Sequence, residues 1–138
     1  MQGADAEAAV RLVEQFEQRV VSADYMRRFL SNPSNFLLAA EEEGAVIGFL
    51  SAHQIDSLSR EAQAMFIYEI EVSEEHRRQG VGSVLIDHIR DIANERGMFE
   101  MFVFTNYSNT EARAFYAATG GQIEEGDELM FVYPLAKG

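Results

Sequence analysis

The chain has 138 residues, 47% hydrophobic and 25% charged, which suits one soluble globular domain with its own core. Its 23 acidic residues against 11 basic ones give a net charge of −12, which opposes nucleic-acid binding and either suits a cationic small molecule as partner or serves only to keep the protein soluble. With no cysteine, no apolar run of the ~20 residues that span a bilayer and no leader pattern, thiolate chemistry is excluded and a cytoplasmic protein without membrane contact is expected.

From Asp5 to Val21 the apolar residues Val10, Val13, Phe16 and Val20 recur every three or four positions, which predicts an amphipathic helix. A shorter helix over Ala23 to Leu30 stops before SNPSN. NFLLAAEEEGAVIGFLSAHQI then reads as an antiparallel hairpin around a Glu-Gly turn, and SLSREAQA as a polar loop. A third strand is expected from Met65 to Val72. A long helix to about Arg96 follows a glycine turn, with Val81, Val84, Leu85, His88, Ile89 and Ile92 on one face. Gly97 closes it, MFEMFVFTN makes another strand, Asn109 caps a helix through Ala118, and DELMFVYPL is the last strand. This order implies an α/β (α+β) fold: one domain over 1–138, with a mixed twisted sheet and helices on both faces.

The stretch VSEEHRRQGVGSVLIDHI carries the first chemistry. A strand, a glycine-rich turn and a helix start together collect phosphate, because unpaired amides point outward and the helix dipole adds positive potential. Gly80 and Gly82 let an anion approach the backbone, and Arg77 and Arg78 can add charged hydrogen bonds. No Gly-Lys-Ser/Thr follows, and Val84–Leu85 stands where a dinucleotide motif needs its third glycine. A plain tight turn remains the alternative reading of these glycines.

Arg77-x-x-Gly80-x-Gly82, between that strand and helix, resembles the acetyl-CoA signature of the GNAT N-acetyltransferase superfamily. Asn109-x-x-Ala112-x-x-Phe115-Tyr116, followed by Gly120, resembles its second cofactor motif, and the likeness runs from about Phe36 onward. Within the superfamily, YEIEVSEEHRRQG and NYSNTEARAFYAATGG are similar to the aminoglycoside 3-N-acetyltransferases of gentamicin resistance. Two features depart from that pattern. The first strand usual in the fold is short or absent, since Met1 to Asp5 cannot supply it, and Asn109 stands where the resistance enzymes carry an acid.

The resemblance implies acetyl transfer from acetyl-CoA to a primary amine by direct attack. Such a reaction needs a base for the ammonium, a donor for the oxyanion and a proton for the leaving thiolate. By resemblance, the backbone of Ile70, Glu71 and Val72 pairs with the pantetheine arm, and an amide there polarises the thioester. The amides of Arg78, Gln79, Gly80, Val81, Gly82 and Ser83, with Arg77, hold the pyrophosphate. Asn109, Ala112, Phe115 and Tyr116 complete the cofactor site, with Tyr116 as proton donor to the thiolate.

Glu69 and Glu71 are the base candidates. Strict alternation puts both on one face of the strand, with Met65 and Ile67, and partial burial there would raise their pKa values. The bland alternative is a wet strand end or an arginine partner. Tyr68 and Tyr107 are candidates for the acceptor pocket, as are Glu125 and Asp127 in the acidic EEGDE loop. His53, His76 and His88 share no ligand spacing on one element, so no metal site is expected, and His88 is expected to be packed. The favoured acceptor is an aminoglycoside amine on the deoxystreptamine ring. A polyamine or other small amine is the runner-up, and a CoA-binding module without turnover is the non-enzyme alternative. A missing first strand would expose a sheet edge, from which a homodimer is expected.

Overall fold

The computed structural model describes residues 1–124 and 129–136. The chain divides into two compact units, Met1–Phe104 and Thr105–Gly138. The first holds a four-stranded sheet in the order β1-β2-β3-β4, with β1 Asn35–Glu42, β2 Ala45–Asp56, β3 Gln63–Val72 and β4 Glu100–Phe102. The first three strands are antiparallel, and β4 runs parallel to β3. The sheet starts at Asn35, and Gly3–Asp5 is a short 3₁₀ turn, so the described residues lack the usual opening strand.

The β1–β2 connection is the tightest kind. Glu43 and Gly44 both take positive φ, 52° and 82°, the geometry whose twist matches that of the flanking strands. Helix α1, Ala6–Glu17, is shorter than its apolar periodicity predicts. Gln18 turns left-handed at φ 54°, and its amide closes on the Glu14 carbonyl, which ends the helix. Val20 is consequently 84% exposed rather than packed. Helix α2, Ala23–Ser31, is capped by the Ser22 side chain, which accepts from the Tyr25 amide.

One sheet face is covered by α1 and α2, whose Ala6, Ala9, Leu12, Met26 and Leu30 form a core with Leu37 and Phe49. The other face receives α3, Val81–Glu95, through Leu85, Ile86, Ile89 and Ala93. That buried stripe differs from the predicted one: Val84 is 54% exposed and His88 is exposed too. The apolar positions form a stripe broader than one face, so periodicity does not fix the helix rotation, and Leu85, Ile86 and Ile89 win the core. Gly48 makes room for this helix, since a Cβ there would lie 3.3 Å from Val81 and 3.0 Å from the Glu71 carbonyl oxygen. At the far end Arg96 lies over the Phe36 ring and donates to Gln54.

The second unit contains α4, Thr110–Ala118. Residues Leu129–Leu135 form no strand, contrary to the reading of DELMFVYPL, of which Asp127 and Glu128 lie outside the described residues. Alternating apolar residues become a strand only where a neighbouring backbone offers a ladder, and none pairs with this segment among the described residues.

Candidate active site

The register of β3 against β2 decides where its carboxylates point. Phe49 faces Glu71, Leu50 faces Ile70 and Ser51 faces Glu69, but the next pair is Ala52 with Ile67. Tyr68 is therefore the extra residue of a β-bulge. Its insertion breaks the alternation, so Phe66, Tyr68, Glu69 and Glu71 share the face covered by α1 and α2. Met65 and Ile67 go to the opposite face, where they are buried, which corrects the expectation that they would share a side with the two glutamates.

Glu69 stands in a cleft of about 420 Å³ between this sheet face, α1 and α2. Its walls are mostly apolar, including Leu12, Met26, Phe29 and Phe49, and Tyr68 lines it too. The Ser51 hydroxyl, on a residue only 7% exposed, donates to Glu69 Oε1 at 3.3 Å. Glu17, the last residue of α1, lines the same cleft as Glu69. Burial first, and then the Glu17 carboxyl, push the Glu69 pKa from 4.5 to about 7. Burial and Glu17 raise Glu71 as well, against the opposing pull of Arg77. Neither Glu17 nor Glu69 makes an ion pair with a basic residue among the described residues. Sequence reading missed Glu17, although it lies four residues beyond Val13 on the same helical stripe.

The glycine turn lies directly beyond β3. A 3₁₀ turn, Glu74–His76, is pinned by the Ser73 hydroxyl and His76 Nδ1 at 2.7 Å, and His76 Nε2 lies 3.4 Å from Glu42. Arg77 folds back, its Nε donating to the Val72 carbonyl at 3.1 Å, and Gln79 donates to the Glu75 carbonyl. Arg78 and Gly80 take positive φ, 65° and 84°. Gly80 is the N-cap of α3 and no side chain caps that end, so the first-turn amides of Val81, Gly82 and Ser83 have no capping partner. The β3–β4 ladder stops at Phe66–Phe102, which leaves Ile70, Glu71 and Val72 without a strand partner on that edge among the described residues. An extended ligand arm and its diphosphate fit this pair of features: a free strand edge and a helix start of unpaired amides.

The remaining predicted residues lie in the second unit. Asn109 caps α4, its Oδ1 accepting from the Ala112 amide at 3.0 Å. Phe115 and Tyr116 pack ring to ring at 5.4 Å, and burial raises the Tyr116 pKa, so its hydroxyl keeps its proton at neutral pH. Tyr107 is 73% exposed beneath the Arg113 guanidinium. Glu125 and Asp127 lie outside the described residues. Among the described residues no cluster of His, Asp or Glu could hold a metal ion, and no helix is long and apolar enough to cross a membrane.

A family model for the acetyltransferase (GNAT) family matches residues 6–120. The chain belongs to this family. GNAT acetyltransferases use acetyl-CoA, which matches the free strand edge and glycine turn just described. Among curated relatives, N-acetyltransferase 8 of Homo sapiens is 26% identical over 98 residues, 71% of this chain and 43% of its own length. An N-acetyltransferase of Bacillus subtilis, YhfO, is 26% identical over 102 residues, 74% of this chain and 68% of its own. The chain thus spans less than half the length of the human relative. Among solved structures, the aminoglycoside acetyltransferase meta-AAC0020 from an uncultured soil metagenomic sample, in complex with sisomicin, matches with TM-score 0.88 at 22% identity. That match covers 98% of this chain and 93% of the other. The ribosomal-protein-alanine N-acetyltransferase of Brucella melitensis matches with TM-score 0.75 at 20% identity over 96% of both chains. At these identities the structural matches establish the GNAT fold, a mixed sheet flanked by helices.

Proposed function

We propose that this GNAT acetyltransferase acetylates a primary amine of an aminoglycoside, the 3-amino group of the deoxystreptamine ring, by direct attack, and so confers resistance. The observation that carries the reading is the Glu17–Glu69 carboxyl pair in the cleft, with no basic partner among the described residues. Two acids brought together without a cation are costly, and an ammonium group supplies what they lack. The fold shared with the aminoglycoside acetyltransferases supports the choice of acceptor.

Glu69 takes the proton of the bound ammonium, its pKa of about 7 matching that task near neutral pH. Ser51 orients it, while Glu17 and Glu71 hold positive charge nearby. When bound, acetyl-CoA supplies the activated acetyl group. The free edge of Ile70–Val72 and the amides of Val81, Gly82 and Ser83 position it, and Arg77 and Arg78 add positive charge beside the turn. Asn109, Ala112 and Phe115 keep the cofactor role, and Tyr116 the acid role, that the family motif implies. A polyamine acceptor is favoured by one observation: the largely apolar cleft wall suits a methylene chain.

The test is thiol release from acetyl-CoA with gentamicin, kanamycin, spermidine and a lysine peptide as acceptors. Gentamicin should be turned over, and Glu69→Gln should lower kcat/KM by about a hundredfold to ten-thousandfold. Turnover of spermidine alone would replace the acceptor. Acetyl-CoA binding without any turnover would leave a binding module.

A further inference from the structure

His53 stands on the cleft wall, its ring edge-on to Phe29 and Tyr68 at centroid distances of 5.9 and 5.8 Å. The hydrogen bonds around it decide which nitrogen carries the proton. The Asn35 side-chain nitrogen donates to the Phe29 carbonyl at 3.1 Å, which orients the amide and presents its oxygen to His53 Nδ1 at 2.9 Å. An amide oxygen only accepts, so Nδ1 holds the hydrogen and the neutral ring keeps a lone pair on Nε2. Among the described residues nothing donates to Nε2. The charged and titratable groups lining the same cleft are Glu17, Arg19, Tyr25, Tyr68 and Glu69, and burial disfavours the charged imidazolium. A fixed acceptor in a ligand-sized cleft, with no protein donor, is directed at a ligand.

We propose that His53 determines acceptor specificity, its Nε2 accepting a hydrogen bond from a second donor of the substrate whose reacting amine is held at Glu69. The proposal rests on the amine-acetyltransferase reading above. The sheet sets the spacing. Ser51, which holds Glu69, and His53 are two residues apart on one face of β2, a span of about 7 Å along a strand. A cyclic 1,3-diamine or amino alcohol, extended by a hydrogen bond at each end, covers that span, and a simple monoamine does not.

Two measurements test this. The first compares kcat/KM for cis-1,3-diaminocyclohexane and cyclohexylamine in the native protein and in His53→Phe, which keeps an aromatic ring between Phe29 and Tyr68. The diamine-to-monoamine ratio should fall about tenfold, through KM rather than kcat. An equal loss for both amines would mark a packing role and overturn the proposal, as would an unchanged ratio. The second measurement needs no turnover, so it separates this proposal from the proposed activity. Imidazole ¹⁵N spectra should show a bare His53 Nε2 that shifts when the diamine is added and not when cyclohexylamine is. A protonated Nε2, or no difference between the amines, overturns it.

Discussion

The behaviour of Glu69 depends on a residue distant in sequence. Burial raises the Glu69 pKa most, and the neighbouring Glu17 carboxyl raises it further. Glu17→Gln removes the charge and offers an amide donor to the carboxylate, so the folded-state pKa should drop from about 7 toward 4.5. The acid limb of the pH–rate profile should then move to lower pH, read directly in thiol-release assays. Stability must move consistently. A carboxyl with a raised folded pKa contributes stability that is fully present below about 4.5 and lost as pH rises through about 7. Melting temperatures should therefore fall less between pH 5 and 8 in Glu17→Gln than in the native chain. Glu69 and Glu71 could be picked out in the sequence because acids inside an apolar strand need a reason. Glu17 was hidden, because an acid ending an amphipathic helix reads as surface until the chain beyond Gln18 is seen to fold back over the cleft.

At the scale of elements, the glycine turn, the hairpin and the Asn109 cap could be read because each is local: its chemistry is complete within a few residues. The bulge, the rotation of α3 and the fate of Leu129–Leu135 could not, since each is decided by a partner element. Gly48 shows the same dependence. It reads as an ordinary strand glycine, yet it lies where β2, the end of β3 and the start of α3 converge. Gly48→Ala would set a methyl 3.0 Å from the Glu71 carbonyl oxygen, against backbone that cannot swing aside. We expect a loss of about 1–3 kcal/mol in denaturant unfolding. Acetyl-CoA affinity should fall with it, because the strand edge of Ile70–Val72 and the first turn of α3 are displaced together.

For the whole molecule, the net charge of −12 makes the approach of a cation favourable at long range. Salt screens this field over about 8–10 Å at physiological strength. Raising ionic strength from low to about 0.5 M should increase KM for a polycationic aminoglycoside several-fold, and increase it less for a monoamine. A salt-independent KM would separate the acidity from substrate capture. The overall architecture was legible because helix and strand periods alternate clearly along the chain. The acceptor was not, since a fold and a glycine turn leave the lining of the cleft free to vary.

That freedom has a concrete address. Ile67 pairs with Ala52 and Glu69 with Ser51, and the ladder has no use for the residue between them. Tyr68 is 61% exposed, its ring meeting His53 and Phe66 on the cleft side. A change there disturbs neither the buried residues of β3 nor the placement of Glu69, so substitution at Tyr68 can reshape the cleft wall and leave in place the carboxyl that we propose as the base. Closely related chains could then come to prefer different amines through drift at a supernumerary residue, with the fold inherited intact.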